Sequence, residues 1–106
     1  DFNGSYEYSD ITEVDVRSLN EYALEQNYPN PFNPITTIGY VLKEKSNTKL
    51  ILLNTIGEEM AVLVNEEQDK GYHKIDFNAA NLPSGVYFYQ LKAGEFMSVK
   101  KMLLIK

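Results

Sequence analysis

The chain has 106 residues, with ten Lys and Arg against fifteen Asp and Glu, a net charge of −5 and no Cys. That length is one domain's worth and supports a single core burying about 60% of the unfolded surface. The acidic balance argues against a nucleic-acid partner, and the missing thiols exclude disulfides and zinc–thiolate sites.

The first stretch, residues 1–16, contains the turn dipeptide Asn3-Gly4, then Tyr6 and Tyr8 alternating with polar residues, and then Thr12, Val14 and Val16 alternating with Glu13 and Asp15. It reads as one long strand, or two with a bulge near Asp10, whose pairing strand is missing from this chain. The chain starts at Asp1 with no signal-peptide pattern, so it reads as a processed product or an excised fragment with its true N-terminus upstream. Residues 1–22 are taken as an N-terminal arm and connector, the end of a preceding domain or a donated strand, with residues 17–22 the connector. Two arrangements suit the arm: an extra edge strand on its own sandwich, or a strand added to a neighbouring copy, which repeated head to tail builds a homo-oligomer or open filament; the neighbour is favoured, because the connector followed by a stiff proline segment projects the arm away from its own core.

Residues 27–34 read Asn-Tyr-Pro-Asn-Pro-Phe-Asn-Pro. Each proline fixes φ and removes a donor, and Tyr28, Asn30 and Asn33 before them are pushed toward extended geometry. No helix crosses such a segment. With Asn30 and Asn33 able to bond nearby backbone, it reads as an ordered series of tight turns anchored by Tyr28 and Phe32.

Strand patterns fill the rest. Ile38, Tyr40 and Leu42 alternate with Thr37, Gly39 and Val41, so the first set faces a core. Residues 44–47 read as polar turn. Residues 48–53 are apolar on both faces near the middle, which marks a central strand. Ile56-Gly57 closes a turn, residues 60–64 pair back, and residues 65–71 read as a charged loop. Ile75 and Phe77 lie on the next strand, residues 78–84 form a crossing connection, and residues 85–92 place Tyr87, Tyr89 and Leu91 on one face. Ala93-Gly94-Glu95 reads as a hairpin turn before the closing strand, residues 96–105. Six or seven short antiparallel strands with turns every eight to twelve residues and no helical period predict an all-β, immunoglobulin-like β-sandwich with a strand-like N-terminal arm.

The apolar runs are only about four residues long, against about 20 for a membrane-spanning helix, so no transmembrane segment is expected. Leu82-Pro83-Ser84-Gly85-Val86-Tyr87 has the form of a tyrosine corner, in which the hydroxyl bonds backbone a few residues upstream; a core aromatic is the plainer alternative. Lys100, Lys101 and Lys106 bracket apolar residues 102–105 and give the last strand a cationic rim on an otherwise acidic protein; lysines on a terminal strand also serve as edge protection. His73, the only histidine, shares parity with Ile75 and Phe77 and is expected beside the core. Glu58-Glu59 and Glu66-Glu67 with Asp69 lack the alternate ligand spacing of a calcium loop and read as solvated turns. No catalytic constellation is evident, and no cofactor or metal is implied.

Leu24-Glu25-Gln26 leading into the proline segment, Val62-Leu63-Val64-Asn65, Leu82 through Tyr89 in the order Leu-Pro-Ser-Gly-Val-Tyr-Phe-Tyr, and Lys100-Lys101-Met102 together resemble the type A C-terminal sorting domain of the type IX secretion system. The resemblance covers residues 23–106. It implies an Ig-like, non-catalytic secretion and sorting signal, read by outer-membrane secretion machinery, that carries a cargo protein to the cell surface or outside the cell. It also implies that Pro83, Gly85 and Tyr87 belong to an export motif and that Lys100, Lys101 and Lys106 on the last strand are recognised. Cleavage is typical of such signals, whereas this chain contains the signal whole. The alternative is a retained structural module mediating surface assembly by strand exchange; the Ig-like domain of flagellar hook-capping proteins is a third, which the lysine motif disfavours.

Overall fold

The computed structural model describes residues 21–106; the N-terminal arm expected at 1–16, and most of the connector, lie outside them. Seven strands follow: β1 (Ala23–Leu24), β2 (Ile35–Leu42), β3 (Ser46–Leu53), β4 (Glu59–Gln68), β5 (Gly71–Asn78), β6 (Gly85–Ala93) and β7 (Phe96–Leu104). They form a three-stranded sheet ordered β1-β2-β5 and a four-stranded sheet ordered β4-β3-β6-β7, with every strand pair antiparallel. The architecture is the expected all-β sandwich.

Period-two alternation decides which side chains fill the space between the sheets. The three-stranded sheet contributes Leu24, Ile38, Tyr40 and Leu42, and the four-stranded sheet contributes Leu50, Leu52, Val64, Tyr87, Tyr89, Leu91, Met102 and Leu104, all buried in one cluster. β3 is central, paired to β4 through Leu50↔Val64 and to β6 through Leu50↔Leu91, as its two-sided apolar character predicts. Ile75 and Phe77 pack at the core's margin, and His73 stacks half-buried on Tyr40 with ring centroids 5.4 Å apart.

Three local readings are corrected. Residues 65–71 are not a loop: β4 continues to Gln68 and β5 starts at Gly71, because Glu66 and Glu67 pair with Thr48 and Asn47. As an edge strand β4 keeps its carboxylates in water while its backbone pairs, so a charged run there does not signal a break in the strand. Nor are residues 44–47 all turn. Ser46 begins β3, buried, with its hydroxyl donating to the Glu44 carbonyl at 2.8 Å and meeting the Tyr22 hydroxyl at 2.9 Å. The last hairpin is tighter than read, since Ala93 pairs with Phe96 and leaves only Gly94-Glu95 as the turn.

Candidate recognition surface

The proline segment is ordered by long-range bonds, and its three X–Pro bonds are cis. Phe32 inserts into the core against Phe77, and its backbone makes a parallel bridge to the last strand. Its N–H donates to the Leu103 carbonyl at 3.0 Å, and the Ile105 N–H donates to the Phe32 carbonyl at 2.9 Å. Asn30 Oδ1 accepts from the Leu103 N–H at 2.9 Å, and Gln26 Nε2 donates to the Lys101 carbonyl at 2.6 Å. Together these bonds occupy backbone groups on the terminal half of the β7 edge, which an unpaired edge strand would leave open. Earlier in the chain Tyr22 stacks on Phe96 with centroids 5.2 Å apart, so this end of the connector packs against the sandwich.

Behind the proline segment lies a buried polar knot that sequence reading missed. The Tyr89 hydroxyl accepts from the Asn27 N–H at 2.8 Å and donates to the Glu25 carbonyl at 2.6 Å. Asn27 Nδ2 donates to Thr36 Oγ1 at 3.0 Å and to the Pro29 carbonyl at 3.1 Å, which also accepts from the Thr36 hydroxyl. Every partner in the knot reduces the cost of burying polar groups. Burial, reinforced by the nearby Glu25 carboxylate and opposed by the Asn27 hydrogen bond, pushes the Tyr89 hydroxyl up to about 12. The two Tyr89 bonds join residues more than sixty positions apart, and alternation marks Tyr89 as inward without naming its partners.

Pro83, Gly85, Tyr87 and Lys106 do meet, at the β5–β6 end of the sandwich. The Tyr87 hydroxyl donates to the Pro83 carbonyl at 2.7 Å, four residues upstream, which is the bond of a tyrosine corner. Gly85 begins β6 at φ 152°, a backbone conformation that side-chain-bearing residues rarely adopt. The Lys106 N–H donates to Ser84 Oγ at 3.0 Å and its Nζ to the Ala80 carbonyl at 2.6 Å, so the lysine is tied to the same connection.

Lys100 and Lys101 stand apart from that end. They pair with Tyr89 and Phe88 along β7 and, as neighbours on a strand, point to opposite faces. Lys100 has the inward parity of Met102 and Leu104, whereas Lys101 points outward with Met97, Val99 and Leu103. The three lysines therefore do not form one rim.

The outer face of the four-stranded sheet is apolar where a solvated sheet face is normally polar. Register aligns Val62, Ile51, Gln90 and Val99 in one row and Glu59, Leu53, Phe88 and Lys101 in the next, with Val86 opposite Leu103 beyond them. Met97, Val62 and Val99 remain 57%, 47% and 47% exposed. Gln90 Nε2 reaches Met97 Sδ at 3.3 Å across this face. The opposite outer face, on the three-stranded sheet, is polar by contrast: Thr37 bonds Asp76 at 2.7 Å, and the Tyr72 hydroxyl donates to Glu25 Oε1 at 2.8 Å above Gly39, where a Cβ would collide with both.

Among the described residues no helix is long and apolar enough to cross a membrane, and no group of three or more His, Cys, Asp or Glu is placed to hold a metal. None of the curated proteins matches the chain significantly. Among solved structures it is similar to one described as PorZ, an essential bacterial surface component of the type-IX secretion system of Porphyromonas gingivalis. The TM-score is 0.52 at 18% identity, covering 87% of this chain and 12% of that one, a likeness of fold. The sequence profile of the secretion system C-terminal sorting domain matches residues 26–106, from the bond between Gln26 and β7 to the lysine tied to Ala80. The chain belongs to that family of sorting domains, whose cargo is secreted or displayed on the cell surface.

Proposed function

We propose that this chain is a non-catalytic signal that directs an attached cargo across the outer membrane through type IX secretion machinery, and that the machinery reads it as a folded sandwich. The observation that carries this reading is the family match over residues 26–106, which coincides with the unit closed by the Gln26, Asn30 and Phe32 bonds to β7. Pro83, Gly85 and Tyr87 serve it by shaping the corner at one end, and Lys101 offers an exposed cation on the outer face. Lys100 and Lys106 complete the lysine set carried over from the family pattern. No observation among the described residues favours the alternative of a retained assembly module.

Removing residues 102–106 is a poor test, because Met102 and Leu104 are core residues and the sandwich would open. Single Lys100→Gln, Lys101→Gln and Lys106→Gln changes are sharper. The full chain is fused behind a periplasmic passenger in a type IX-secreting bacterium. The passenger is expected at the surface or in the medium with the parent sequence and retained in the periplasm with Lys101→Gln, at unchanged melting temperature. A parent fusion that stays periplasmic refutes the sorting function.

A further inference from the structure

The outer face of the four-stranded sheet carries a second anomaly besides its apolar rows. Lys49 on β3 and Lys92 on β6 are directly opposite each other, and like charges at opposed positions weaken a sheet. Among the described residues neither lysine has an ion pair: the one salt bridge there joins Lys45 to Glu67 at 3.9 Å. The outward positions hold Lys49, Lys92 and Lys101 against Glu59 and Glu67, with Glu67 turned toward Lys45, on a chain whose net charge is −5. A cationic pair set beside exposed Met97, Val62 and Val99 is a poor solvent face and a good complement to an acidic, apolar one.

We infer that this face docks a protein of the secretion machinery that presents carboxylates among apolar side chains. The Lys49–Lys92 pair receives a carboxylate, while Ile51, Leu53, Phe88 and Val99 supply the apolar contact. The inference rests on the sorting function and names the surface through which it works. A second copy of the chain is disfavoured as the occupant, because two such faces would bring lysine pairs together.

The test exploits opposite effects on stability and export. Lys49→Glu converts the opposed lysines into a Glu–Lys pair, so the melting temperature is expected to rise while surface delivery of the fused passenger falls at least tenfold. Lys92→Glu, the mirror change, gives the same two results. Lys74→Glu, on the opposite outer face, leaves export unchanged. Lys49→Glu and Lys92→Glu chains that export like the parent overturn the inference while leaving the sorting function intact; a parent chain that is not exported removes both. Three further results overturn it by naming another occupant. They are binding of the parent chain, but not Lys49→Glu, to phosphatidylglycerol vesicles, a dimer by sedimentation that Lys49→Glu dissociates, and a drop in melting temperature on deleting residues 1–20.

Discussion

Replacing Tyr89 by Phe isolates the buried knot, because it deletes one oxygen and leaves the ring's packing in place. That oxygen serves two backbone groups, accepting from the Asn27 N–H at 2.8 Å and donating to the Glu25 carbonyl at 2.6 Å. Two net hydrogen bonds at about 1 kcal/mol each, plus the penalty for leaving the N–H of Asn27, which is 2% exposed, without its acceptor, give a loss of roughly 2–4 kcal/mol. For a domain of this size that corresponds to a fall of about 10–25 °C in melting temperature. Tyr87→Phe is the internal control. Its hydroxyl serves a single carbonyl, that of Pro83, so about 0.5–1.5 kcal/mol is expected. Urea denaturation followed by tyrosine fluorescence or circular dichroism measures both variants under the same conditions. Equal losses for the two, or a loss under about 1 kcal/mol for Tyr89→Phe, would refute the view that this knot locks the proline segment to the sheet.

The same hydroxyl makes stability sensitive to alkali. An unfolded tyrosine ionises near 10 and the folded Tyr89 near 12, so the folded state keeps a proton that the unfolded state releases; stability is full below about pH 10 and declines as pH rises toward 12. Tyr40, also raised, mainly by burial, adds to the decline, so Tyr89→Phe should make the change in urea midpoint between pH 9 and 11 shallower without abolishing it. Gly85→Val places a β-branched residue at φ 152° and should cost about 1–3 kcal/mol by strain alone, since open space surrounds the missing Cβ. An unchanged denaturation midpoint would show that the backbone there relaxes freely.

Much of the sandwich is legible from alternation, because a residue's face on a strand is fixed by parity. Ile38, Tyr40 and Leu42 on β2, and Tyr87, Tyr89 and Leu91 on β6, all lie inward as their spacing demands. The tyrosine corner is legible for a similar reason, since its bond spans only four residues. The readings that failed, or were never made, depend on what lies across the fold. Glu66 and Glu67 look like a loop until Asn47 and Thr48 are seen beside them. Asn27 looks like one more turn residue until Tyr89 meets its N–H. The lysines of β7 illustrate a different failure: parity already assigns Lys100 and Lys101 to opposite faces, and grouping them with Lys106 by proximity in sequence obscured it. The opposition of Lys49 and Lys92 depends on the register of β3 against β6, which neither strand's own pattern contains.

The seam between the proline segment and β7 has a consequence for the order in which the molecule is made. Asn30 waits for Leu103, 73 positions later, and the core cluster that takes in Phe32 is completed only when Met102 and Leu104 arrive. A ribosome that stops before those codons releases a chain with most of its strands but a gap in its interior and an unsealed edge. Closure of the sandwich thus certifies that translation has passed residue 104, and a transporter that accepts only the closed form passes over cargo whose synthesis was cut short.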